Sequence, residues 1–347
     1  MPTSRLPYRA ARSLTAHRPH PVARSLTAGL LLTAALFVFG RPATGLAETT
    51  GPAETSGLAE TTGDPVRLTH GLYVDPASAA AAYARRHPED TALASKIAVQ
   101  PSARWIGSWS GEAKAAVTAY TTAADRAGKL PVLVTDNLPG RQCGIGGGAT
   151  TDAAYRNWIT AVSDGIGARP AIVVLEPNAL AGLDCYPAAQ WDGRIAMLKY
   201  AVGLLAAKNP NTWAYLDAGT VSSAGAKEIA RRLRLADVGK IRGFALNTAD
   251  YFSTEQSTAR GNEILTALGG GTHFVIDTSR NGNGSDGSSC NPPARKLGAP
   301  PATAPAPADL HLWLRTPGES DGPCGLTPTL PTRTFSPVLA HHLITGT

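Results

Sequence analysis

The sequence lacks most of the patterns that hold cofactors, metals or nucleic acids. No Cys-x-x-Cys pair occurs, so its four cysteines do not have the spacing of a common zinc site. The glycine-rich stretch Gly140-Arg141-Gln142-Cys143-Gly144-Ile145-Gly146-Gly147-Gly148 has neither the G-x-G-x-x-G order nor a Walker lysine, which excludes a phosphate-cradling loop. No cofactor and no metal is therefore expected. The formal charge is +6 over 347 residues, but much of that excess lies at the N-terminus. The remainder is nearly balanced and has no Lys/Arg run interleaved with aromatics, so nucleic acid is not an expected partner. The apolar run Ala28 to Phe39 is only about a dozen residues, too short to span a bilayer stably.

That run has another use. Arg5, Arg9, Arg12, His17, Arg18 and Arg24 precede it, and small residues lead to Gly45-Leu46-Ala47. This is the order of a cleaved secretory signal, expected over 1–47, and it predicts an extracellular protein with no membrane attachment after cleavage. Residues 48–65 repeat an Ala-Glu-Thr-(Thr/Ser)-Gly unit with almost nothing to bury, which predicts a flexible linker. The rest, 66–347, is long enough for one α/β barrel. In an exported chain four cysteines read as two disulfides, with three pairings open.

Short apolar runs alternate with helical patterns from Arg104 onward. Strands are expected over Arg104–Ser108, Pro131–Asp136, Ala171–Glu176, Thr212–Asp217, Arg242–Asn247, Thr272–Asp277 and Leu310–Arg315. Helices are expected over Glu112–Gly128, Asp152–Gly167, Ala189–Lys208, Ser223–Leu235 and Thr254–Leu268. Seven strands with intervening helices predict a distorted, seven-stranded parallel β/α barrel of TIM-like type. Asp136, Glu176, Asp217, Asn247, Asp277 and Arg315 all fall at the C-terminal ends of these runs, the edge where such sheets gather ligand chemistry. Trp158, Trp191 and Trp213 read as core, and Trp109 fits rim or core alike. The loop 140–148 fits a mobile loop beside a polysaccharide cleft, or an ordinary surface loop.

Two motifs sharpen the reading. Ala171-Ile172-Val173-Val174-Leu175-Glu176-Pro177-Asn178 and Asn137-Leu138-Pro139-Gly140-Arg141-Gln142-Cys143 closely resemble the core signatures of glycoside hydrolase family 6, the inverting cellulases. Val275-Ile276-Asp277-Thr278-Ser279-Arg280-Asn281-Gly282-Asn283-Gly284 resembles a third signature. Trp313-Leu314-Arg315-Thr316-Pro317-Gly318-Glu319-Ser320-Asp321-Gly322 resembles a fourth, with Arg315 where a lysine is usual. The resemblance runs from about Asp75 to the end of the chain.

It implies a β-1,4-glucan or oligosaccharide substrate, a monomer, and specific roles. Asp321 would be the base and Asp217 a supporting acid. Trp105 would stack on sugar, while Asn247, Trp313, Arg315 and Glu319 would line the substrate. It also implies the pairings Cys143–Cys185 and Cys290–Cys324. The departures cluster at the chemistry. Asn178 stands where the family has its acidic proton donor, and Gln142 replaces an Asp of the usual Gly-Arg-Asp-Cys. Asp136 replaces a Tyr, Ser223 and Ser289 replace Trp, and Thr220 stands where a His is frequent. Activity is therefore expected to be weak or altered, with Asp136 a possible substitute acid; the alternative is an inactive carbohydrate-binding protein on the same fold.

Overall fold

A computed structural model describes residues 63–347 apart from 142 and 145. The expected signal over 1–47, nearly all of the linker and Gln142 lie outside the described residues. The linker ends earlier than its composition suggests. The Gly63 carbonyl accepts from Trp213 Nε1 at 2.9 Å and its N–H donates to Asn211 at 3.1 Å, so residue 63 already belongs to the folded body.

Seven strands run parallel: β1 (Arg104–Ile106), β2 (Val132–Thr135), β3 (Ala171–Leu175), β4 (Thr212–Asp217), β5 (Gly243–Leu246), β6 (His273–Asp277) and β8 (Ala308–Leu312). The two-residue β7 (Ala302–Thr303) adds an antiparallel edge to β8, so the sheet has eight strands in the order β1-β2-β3-β4-β5-β6-β8-β7. That eighth strand is exposed and too short to carry a periodic apolar pattern. Among the described residues no ladder closes β8 onto β1. The gap is crossed by Ala103 N–H to the Trp313 carbonyl at 2.8 Å and Trp105 Nε1 to the Leu314 carbonyl at 2.6 Å. The distorted barrel is therefore nearly closed rather than continuous.

Alternation along each strand assigns two cores. Leu133, Val173, Leu175, Leu216, Phe244, Phe274 and Ile276 face outward onto the helices, where they meet Val117, Tyr155, Ile159, Leu198, Ile229 and Ile264. Val134, Val174, Tyr215, Ala245 and Val275 fill the barrel. Two residues beyond each of these five stand Asp136, Glu176, Asp217, Asn247 and Asp277. The same period of two that buries valines therefore delivers the polar residues to the inside of the C-terminal rim.

The helices follow the expected spans closely, and Thr254–Leu268 matches in full, opened by a Ser253/Gln256 capping box. Five of the seven expected strands end one to three residues early, because the polar ends leave the ladder. Glu176 and Asn247 take positive φ (52° and 64°), which turns the chain out of the sheet.

Candidate active site

Asp321 is the most firmly held carboxylate on the rim. Arg280 Nη1 donates to both of its oxygens at 2.9 Å, and Oδ2 also accepts from Tyr251 Oη at 3.0 Å and the Asn291 N–H at 3.1 Å. Arg280 is itself buried, lies over the Tyr251 ring at 4.4 Å and donates to the Ala249 carbonyl. Burial pushes the Asp321 pKa up, but the Arg280 and Arg315 guanidiniums and these hydrogen bonds outweigh it and hold the carboxyl below its usual value. Asp321 is therefore ionised at any ordinary pH. Its loop is tied from behind, because the Asn291 side chain bonds the Asp321 N–H, the Gly322 carbonyl and Thr327 Oγ1. Cys290–Cys324 bridges the same two segments, with Cα atoms 5.9 Å apart.

Asp217, at the end of β4, is fully enclosed. Its Oδ1 accepts the Asn178 N–H at 2.8 Å and the Gly219 N–H at 3.0 Å, while Oδ2 has no partner among the described residues. Burial raises its pKa to about 6; the nearby Thr248 hydroxyl opposes part of that rise. Asp217 thus carries the turn that presents residue 178. Asn178 is exposed and left-handed (φ 62°), a conformation that Asn and Asp accept more readily than other residues.

Glu176 is the residue most easily overlooked from the sequence. Its Oε2 accepts the Asn137 and Leu138 N–H groups at 2.8 and 2.9 Å, fixing the turn after β2. Burial first, and then Asp136, raises its pKa to about 7. Asp136 forms an ion pair with Arg141. Burial also raises the Asp136 pKa, against the pull of Arg141. The acidic neighbour coupled to Asp136 is therefore Glu176 and not Asp217.

The other expected side chains divide. Trp105, half-buried, and Glu319 line an open cleft of about 740 Å³ together with Ser102, Trp109, Thr316 and Arg333. Arg315 is buried, donates to the Ser320 carbonyl at 2.6 Å and lies 3.8 Å from both Glu319 and Asp321. Trp109 is resolved as a cleft residue, with the Arg333 and Arg141 guanidinium carbons 3.4 and 4.8 Å from its ring centre. Gly107 makes room for it, since a Cβ there would meet the ring at 2.2 Å.

Two expectations need correction. Asn247 is wholly buried and its amide is consumed by the Phe252 N–H and the Phe252 and Asp277 carbonyls, so it shapes the β5 loop and offers no group to a sugar. Trp313 points away from the cleft into a small core with Ala80, Leu93, Ile97 and Ala340, its Nε1 on the Ala299 carbonyl at 2.9 Å. The described ends of the loop 140–148 are tied down by hydrogen bonds and close packing. Gly140 N–H bonds the Gly147 carbonyl, Tyr186 Oη donates to the Gly140 carbonyl, and Gly148 (φ 94°) sits where a Cβ would strike the Leu138 carbonyl at 2.1 Å. Cys143–Cys185 then staples this loop to the one after β3, as the resemblance implied.

A nearly closed parallel barrel whose rim holds one clamped, ionised carboxylate and others that burial keeps protonatable has the two carboxyl states that glycoside hydrolysis uses. The particular family follows from comparison. The model of glycosyl hydrolases family 6 matches residues 69–333, and the chain belongs to that family. Endoglucanase 1 of Streptomyces halstedii is 44% identical over 293 residues, covering 82% of this chain and 91% of that protein. Endoglucanase A of Cellulomonas fimi is 43% identical over 263 residues, 74% of this chain but 57% of that longer protein. The structure of the endoglucanase Cel6 from Mycobacterium tuberculosis, bound to methyl-cellobiosyl-4-deoxy-4-thio-β-D-cellobioside, superposes with a TM-score of 0.77. It is 39% identical and covers 82% of this chain and 99% of that one.

Proposed function

We propose that the protein is a secreted hydrolase of β-1,4-glucan, inverting in mechanism, whose turnover is slow because residue 178 cannot donate a proton. The observation that carries this is the clamped, ionised Asp321 beside a cleft lined by Trp105 and Glu319. Inverting hydrolysis sets two carboxyl groups about 6.5–9.5 Å apart, one ionised to direct water and one protonated to release the leaving oxygen. Asp321 has the charge for the first role. For the second, Asn178 has no proton to give, and Asp136 is the carboxylate available to substitute. Burial favours its protonation, and Arg141 opposes it.

The endoglucanase relatives and the thio-oligosaccharide in the mycobacterial complex support a β-glucan or cello-oligosaccharide as substrate. Export is supported by the N-terminal basic, apolar and small-residue pattern and by two disulfides. Among the described residues no helix is long and apolar enough to cross a membrane. Residues 66–347 would be the catalytic barrel of a monomer that needs neither cofactor nor metal. A second reading, an inactive carbohydrate-binding protein, is favoured by one observation: the single substitute acid is already engaged by Arg141. Prolonged incubation with soluble β-glucan and cello-oligosaccharides, read by product chromatography, decides between them. Slow product release that disappears in Asp321→Asn supports the hydrolase; oligosaccharide binding without any product supports the second reading.

A further inference from the structure

The cleft beside Trp105 and Trp109 holds one guanidinium that has no directly bonded partner among the described residues. Around it Arg104 pairs with Asp75 at 3.3 Å, Arg141 with Asp136, and Arg315 lies 3.8 Å from Glu319. Arg333 is different. Among the described residues its guanidinium forms no hydrogen bond or ion pair, although it is half-buried in the cleft wall. Burial first, and then Arg141 and Arg315, lower its pKa and outweigh the opposing pull of Asp136 and Glu319, so a directly bonded anion would favour its charged form.

Its position is built rather than accidental. The Arg333 backbone is left-handed (φ 68°), which is strained for a long side chain and persists only where surroundings impose it. They do: its N–H bonds the Ser320 carbonyl at 2.8 Å, and Ser320 N–H bonds the Thr334 carbonyl at 2.9 Å. Residue 333 is thus pinned to the segment between Glu319 and Asp321. The guanidinium carbon stands 3.4 Å from the centre of the Trp109 ring, a cation–π contact that holds the fork in the cleft wall.

We propose that this cleft is a subsite for a carboxylate-bearing sugar unit of a β-1,4-glycan, with Trp105 against the ring and Arg333, held over Trp109, as the carboxylate's partner. A uronic acid residue presents an apolar ring face and a planar carboxylate at its edge, which these groups match. Guanidinium forks bind carboxylates through two parallel hydrogen bonds, a geometry that lysine cannot supply. The subsite rests on the glucan-cleft reading above and names the class of glycan that the cleft prefers.

Isothermal titration of the full chain with three ligands tests it. These are a neutral cello-oligosaccharide, the same β-1,4 oligomer with a C6 carboxylate, and an α-1,4-linked oligouronate of equal charge. The acidic β-1,4 oligomer is expected to bind about tenfold tighter than the neutral one at low salt, the strength of one charged hydrogen-bonded contact. Arg333→Gln, with its fold checked by melting temperature, should bring the acidic ligand down to the neutral ligand's affinity, and Arg333→Lys should restore only part of the difference. Equal affinity of the acidic and neutral β-1,4 oligomers overturns the subsite and leaves the glucan reading in place. An α-linked oligouronate that binds as tightly overturns the β-glycan class, and failure of all three ligands to bind overturns both.

Discussion

Replacing Arg280 by Met isolates what keeps Asp321 charged. Arg280 is buried and gives Asp321 two hydrogen bonds at 2.9 Å, so its removal leaves an enclosed carboxylate with hydrogen bonds from Tyr251 Oη and the Asn291 N–H and one more distant cation, Arg315 at 3.8 Å. Breaking one side of a buried ion pair typically costs about 3–5 kcal/mol, most of it from the charge left behind. The pH dependence separates that cost from lost packing on Tyr251. In the wild type the depressed Asp321 pKa makes the pair's contribution fully present above the ordinary carboxyl value and lost only as pH falls through the folded value. Without Arg280 the largest opposing charge is gone and the pKa rises from its wild-type value, so as pH falls the carboxyl protonates earlier in the variant and its charge penalty is relieved. The deficit of Arg280→Met against wild type, measured by chemical denaturation, should therefore narrow from pH 7 to pH 4.5. Arg280→Met/Asp321→Asn should be more stable than Arg280→Met alone. A deficit that is constant with pH, together with no recovery in the double variant, refutes the charge argument and leaves packing as the cause.

Glu176 gives the opposite sign. Its raised pKa, about 7, means that its contribution to stability is complete below the ordinary carboxyl value and is lost as pH rises through 7. Glu176→Gln should flatten a decline of about 3 kcal/mol between pH 5 and pH 8 in urea titrations; an unchanged slope would contradict the assignment. Asp136→Asn should remove the residual hydrolysis of the wild type, whose pH–rate profile falls on the alkaline side as Asp136 deprotonates, and undiminished turnover would exclude Asp136 as the substitute acid. Cys290→Ser/Cys324→Ser opens a link spanning 34 residues and should cost about 4 kcal/mol by loop-closure entropy. It should also weaken turnover by freeing Asn291 from the Asp321 loop, and equal kcat in wild type and variant would show that the staple does not position the base.

What the sequence displays well is whatever repeats. Thr212–Asp217 and Thr254–Leu268 fold over the spans their patterns predict, and the period of two carries Asp136, Glu176, Asp217 and Asp277 to one rim. What it hides depends on distant partners or on the direction of a side chain after the strand has ended. Trp313 and Arg315 differ by two in number and lie just past β8, yet one packs in a core against Leu93 and the other faces Glu319. Asn247 looks like a sugar ligand by position, but its left-handed backbone folds the amide onto Phe252. The Arg280–Asp321 clamp joins residues 41 apart, and Arg333 reaches the cleft only because its backbone is bonded to Ser320. No local pattern encodes either contact.

A glucan-hydrolysing rim that has lost its proton donor at one position is tested most directly by Asn178→Asp. The backbone at 178 is left-handed and bonded through its N–H to Asp217, both of which an Asp can keep. A positioned general acid contributes typically about 10²–10⁴-fold, so hydrolysis of soluble β-1,4-glucan should rise by about a hundredfold or more. If neither Asn178→Asp nor Asn178→Asp/Gln142→Asp releases more product than the wild type, the missing acid is not what limits this protein.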